Sequence, residues 1–82
     1  MSDVEERVKG VVSQVLGVPV ERITSDARFV EDLHAESIQS IELVAAFEEE
    51  FEIEMDQDEA LSVQTVADAA RFIEGVIRQQ KG

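Results

Sequence analysis

A serine, Ser37, opens an amphipathic stretch in the most acidic part of this chain. Between Phe29 and Ala70 there are thirteen Asp and Glu residues and no Lys or Arg. Ser37 stands there in the run Phe29-Val-Glu-Asp-Leu-His34-Ala-Glu-Ser37-Ile-Gln-Ser-Ile-Glu-Leu-Val. A serine at a helix start has two uses. It caps the helix by accepting a backbone N–H, or it offers its hydroxyl as a point of covalent attachment. A phosphate ester formed at that place would lie at the positive end of the helix dipole. Such an ester needs no base from the chain itself, because the modifying enzyme supplies base and metal. The residue types alone leave both uses open.

Other constellations offer less. His34 is the only histidine, and one loop imidazole completes no Ser-His-Asp arrangement. It is expected to be a solvated loop residue. Asp56-Gln57-Asp58-Glu59 has the acidity of a calcium loop but lacks the glycine and the ligand spacing of one. No specific metal site is expected, only weak binding of divalent cations as charge relief. Cysteine is absent, which removes disulfides, thiolate metal sites and thiol nucleophiles together. The chain therefore looks like something handled by other proteins, not an enzyme.

The charge points the same way. A net charge of −12 on 82 residues exceeds the magnitude of roughly 2 to 8 at which small domains are comfortable. Nucleic acid and anionic membranes would repel such a surface. Basic patches on proteins would attract it, chiefly by raising encounter rates. The hydrophobic fraction of 44% is that of a globular chain. No apolar run approaches the roughly 18 residues that span a bilayer, and Met1-Ser-Asp-Val-Glu-Glu has no secretory character. A monomeric, cytoplasmic domain over residues 1–82 is expected.

Helices must position the serine. Apolar residues at 4, 8, 11, 12, 15 and 16 predict a helix over Val4 to Leu16, with Ser2 and Glu5 as a capping box and Gly17 and Pro19 as its stop. Val18 to Ala35 has no period and reads as a long loop, pinned to the core through Val20, Ile23, Phe29, Val30 and Leu33. A second helix is predicted from Ser37 to Phe51, with Leu43, Val44, Phe47 and Phe51 facing inward and Ser40 in the same arc. Its outer side carries Ile38, Ile41, Glu42, Ala45, Glu48 and Glu49. This apolar strip with an acidic rim resembles a docking surface, unless Ile38 or Ile41 packs beneath the loop. Asp56 to Leu61 predicts a short helical turn. Thr65 caps a last helix with apolar residues at 66, 69, 70, 73, 76 and 77. No strand pattern appears. The fold class is all-α: a small antiparallel bundle of four helices, three main and one short, with a long first loop.

At these residues the chain resembles the acyl carrier protein family. Glu36-Ser37-Ile38 is similar to that family's Asp-Ser-Leu attachment motif. Phe29-Val-Glu-Asp-Leu33, Glu42-Leu43-Val44 and Phe47-Glu-Glu-Glu-Phe51 resemble its flanks, and Glu5-Glu-Arg-Val8, Leu16-Gly-Val18 and Thr65-Val66 extend the likeness over nearly the whole chain. The resemblance implies that a phosphopantetheinyl transferase attaches 4′-phosphopantetheine from coenzyme A to Ser37, using magnesium. The arm's thiol would carry acyl groups as thioesters for fatty-acid, lipid or polyketide-type synthesis. It further implies docking of Ile38, Ile41, Glu42, Ala45, Glu48 and Glu49 to synthases and acyltransferases with basic patches. Val44, Phe47, Leu61 and Ala69 would wall an acyl cavity, with Phe47 limiting its depth. The chain departs from the pattern at Glu36, Ile38 and Gln39, and at His34, where a glycine is common. These departures bear on which transferase and synthases recognise it. The alternatives are an unmodified acidic interaction module, which needs no serine, and a peptidyl or aminoacyl carrier.

Overall fold

The computed structural model describes residues 3–81. Within them the chain forms α1 (Asp3–Leu16), a 3-10 turn (Val20–Arg22), α2 (Ser37–Phe51), α3 (Gln57–Leu61) and α4 (Val66–Lys81). No β-strand forms among the described residues; one isolated bridge pairs Arg28 with Thr65.

Local chemistry sets the helix ends. α1 stops at Gly17, whose φ of 71° suits glycine alone without strain, and whose N–H returns to the Ser13 carbonyl at 2.9 Å. The Ser2 half of the predicted capping box lies outside the described residues. The Asp56 carboxylate accepts the Glu59 N–H at 3.0 Å and starts α3. The Thr65 hydroxyl accepts the Asp68 N–H at 3.1 Å and starts α4.

α1 packs against both α2 and α4, while α3 packs against α2. Val8, Val12, Val66 and Ile73 lie fully inside, joined by Leu43, Phe47 and Phe51 from α2. Burying each such side chain contributes about 1.5–3 kcal/mol. In the first half of α1, Arg7 donates to the Glu50 carboxylate at 3.0 Å and lies 4.4 Å over the Phe51 ring.

The long loop is tied by backbone as well as side chains. Val66 and Ala67, the first residues of α4, donate to the Ala27 and Ser25 carbonyls at 3.1 and 2.8 Å. Phe29 donates to Gln64 at 2.9 Å. The open N–H groups of a helix start thus become anchors for a segment with no ladder of its own. Ile23, Phe29 and Leu33 are buried as predicted. Val20 and Val30 are not: they are 43% and 61% exposed, and Ala27 and Ala35 fill the inner positions instead. Ala27 is drawn in by the bond of its carbonyl to Val66, and Ala35 by the bond of its N–H to the Phe29 carbonyl.

The bundle is not antiparallel throughout. α2 and α4 both start beside the loop around Phe29 and both finish beside Glu54, so they run in the same direction. Residues 52–65, which include α3, form a crossing and not a hairpin. That crossing carries the chain back along the roughly 22 Å length of α2.

Candidate functional site

α2 begins with an arrangement that frees its serine. Glu36, extended at φ −84° and ψ 165°, occupies the cap position and Ser37 is the first helical residue. The Gln39 side-chain oxygen accepts the Glu36 N–H at 2.9 Å, in a capping box between the two. Ser37 is exposed, and no hydrogen bond among the described residues engages its hydroxyl. The chain enters this start through His34, whose φ of 60° lies in the left-handed region. Histidine tolerates that region better than most residues, so the histidine supplies a turn that a glycine would supply more easily.

Arg28 organises the approach to α2. Its Nε donates to Asp32 at 3.1 Å, its backbone N–H to the same carboxylate at 2.9 Å, and its Nη1 to Glu31 at 3.2 Å. The guanidinium hydrogen bond, then the backbone one, hold the Asp32 carboxyl below its ordinary range. On α1, the Ser25 hydroxyl bonded to Glu5, with Lys9 at 3.5 Å, lowers the Glu5 carboxyl likewise.

Behind the serine lies a cavity of about 370 Å³, within the size range of ligand pockets. It opens between α2 and α4 beneath α3 and is walled by Leu43, Val44, Phe47, Leu61, Ala69, Phe72 and Ile73, among others. All four residues suggested as cavity walls (Val44, Phe47, Leu61 and Ala69) line it. Ser40, one turn along from Ser37, also lines it, as do Glu31 and Gln64. Ser37, Ser40, Val44 and Phe47 share one stripe of α2 at helical spacing. A flexible group attached at Ser37 would reach the cavity along that stripe.

The outer face of α2 is exposed at Ile38 (64%), Ile41 (46%), Glu42, Ala45 and Glu49. Neither isoleucine packs beneath the loop. Glu48 differs from its neighbours: it is half-buried, and its carboxylate accepts the Met55 N–H at 2.9 Å. Glu50 is engaged by Arg7. No cluster of metal ligands occurs among the described residues.

Sequence reasoning missed the capping role of Gln39, although a Gln three residues after a polar cap position is itself a helix-start signal. It also missed the Arg28 hub, which has no pattern to announce it. No helix of the described residues is long and apolar enough to cross a membrane.

A sequence profile for the phosphopantetheine attachment site matches residues 6–73. The chain belongs to this family of acyl carrier proteins, whose prosthetic group is 4′-phosphopantetheine. It is 51% identical over 74 residues to the acyl carrier protein of Sinorhizobium fredii (strain NBRC 101917 / NGR234), across 90% of this chain and 95% of that one.

Proposed function

We propose that Ser37 is the attachment residue and that the protein carries acyl groups as thioesters on the arm bound there. One observation carries the assignment: the Ser37 hydroxyl is exposed and unengaged at the first position of α2. Attack of that oxygen on the β-phosphorus of coenzyme A forms the new phosphodiester. The bond to the adenylate side breaks, adenosine 3′,5′-bisphosphate leaves, and the serine proton passes to the transferase. The ester then sits at the helix N-terminus, where the dipole and open N–H groups favour an anion. The protein contributes position and shelter, not catalysis.

The acidic outer face supports docking to basic partners, namely the transferase, synthases and acyltransferases. Ile38, Ile41 and Ala45 supply apolar contact, and Glu42 and Glu49 supply the charge. Glu36 flanks the attachment point. Glu48 contributes field more than contact, because its carboxylate is already bound to Met55. We place this single domain, residues 1–82, in the cytoplasm as a monomer serving fatty-acid, lipid or polyketide-type synthesis.

The test is intact mass. Incubation with coenzyme A, magnesium and a promiscuous phosphopantetheinyl transferase should add one phosphopantetheinyl group. Ser37→Ala should abolish the addition and Ser40→Ala should keep it. No gain in mass with any transferase would favour an unmodified interaction module.

A further inference from the structure

The segment that leaves α2 is held from two sides. In the last turn of α4, the Gln80 side chain accepts the Glu54 N–H at 3.0 Å and donates to the Glu54 carbonyl at 2.7 Å. The next N–H, that of Met55, donates to the Glu48 carboxylate at 2.9 Å. Water ordinarily satisfies the backbone of an exposed connection. Here side chains from two different helices do so, and they fix its position.

Met55 is the residue so positioned. It is half-buried and lines the cavity. Its N–H is bound by Glu48, the neighbour in sequence of the cavity residue Phe47. Ser37 lies roughly 15 Å from Phe47 along α2, at 1.5 Å per residue. Met55 and Phe47 therefore close the end of the cavity remote from Ser37. An unbranched, polarisable methionine adapts readily to irregular space. A methionine with its backbone free would move aside for a longer guest. This one is rooted at its own N–H and at the residue before it.

We propose that Gln80, acting with Glu48, is a positioning residue that holds Met55 as the floor of the cavity and so sets the length of acyl chain sheltered there. The proposal rests on the carrier function above and deepens it by naming what selects the cargo. Chains that fit above Met55 are enclosed whole. Longer chains leave part of their length at the mouth, beside the exposed Val30 and Leu61.

The test loads the full protein with straight-chain acyl groups of increasing length, in wild-type, Gln80→Ala and Met55→Ala forms. Each melting temperature is referred to the pantetheinylated but unacylated form of the same variant, so a uniform loss of stability cancels. The wild-type gain should rise with chain length and then level off. In Gln80→Ala the levelling point should shift to longer chains, and the Glu54 and Met55 amides should exchange hydrogen faster. Met55→Ala should shift it too, with the Gln80 tether intact. A levelling point that stays in place in Gln80→Ala overturns the role of Gln80. One that stays in place in both variants overturns Met55 as the floor. If the wild-type protein refuses the arm altogether, the carrier function falls first and this proposal with it.

Discussion

Gln39 accepts the Glu36 N–H at 2.9 Å and secures Glu36 in the cap position, so Ser37, the first helical residue, has no capping duty. Stability and modification therefore fall to different residues. Gln39→Ala should lower unfolding free energy by about 0.5–1.5 kcal/mol, the net worth of the hydrogen bond it removes. Ser37→Ala should stay within about 0.5 kcal/mol, as for other exposed sites without partners. Urea denaturation of the two variants tests this division. A larger loss at Ser37 than at Gln39 would reverse it.

Arg28 depresses the Asp32 carboxyl, and the sign of the pH effect follows. A carboxyl held low in the folded state adds stability above its unfolded value of about 3.9. That stability disappears as pH falls through the lower, folded value. Arg28→Gln should raise the Asp32 titration midpoint, read by carboxyl NMR, toward the ordinary range. It should also remove this share of the acid sensitivity below about pH 4. An unmoved midpoint would show that the guanidinium is not the cause.

Glu52 ends α2 in the left-handed region, at φ 56° and ψ 51°. A residue with a β-carbon is strained there by roughly 1–2 kcal/mol. Glycine removes that strain and returns about 0.5–1 kcal/mol through a more flexible unfolded chain. The ion pair with Lys81, at 3.5 Å on a largely exposed Glu52, is worth little. Glu52→Gly should accordingly stabilise the protein by about 0.5–1 kcal/mol in a urea titration. A destabilised variant would mean that the pair outweighs the strain.

The net charge of −12 predicts a response to salt. Millimolar magnesium or calcium should raise the melting temperature by easing self-repulsion. Among the described residues no carboxylates converge as a chelating cluster. Sodium chloride at matched ionic strength should therefore reproduce much of the gain. A rise confined to divalent ions, saturating at a fixed stoichiometry, would contradict this.

The helices were legible in the sequence because their apolar spacing and caps agree. α2 spans Ser37–Phe51 as its pattern demands, and Thr65 caps α4. The inward set Leu43, Val44, Phe47 and Phe51 followed from helical period alone. The loop was legible only in part. Its inward positions follow backbone bonds, to α4 at Ala27 and within the loop at Ala35, so alanines took the places that hydrophobicity gave to valines. The shared direction of α2 and α4 depends on how residues 52–65 cross, and no periodicity encodes that. The Gln80 clamp arises from contact between distant segments, and the left-handed Glu52 is a helix end that no glycine or asparagine announces. Local pattern is blind to both.

α1 behaves as a spine between two covers, since it packs on α2 and α4 while the hollow keeps those two apart. Each cover is glued to the spine by its own oily stripe, so opening the book leaves both seams whole. A broader passenger would be admitted at the mouth by a change of angle there, while the bonds of Gln80 to Glu54 keep the covers fastened at the far edge.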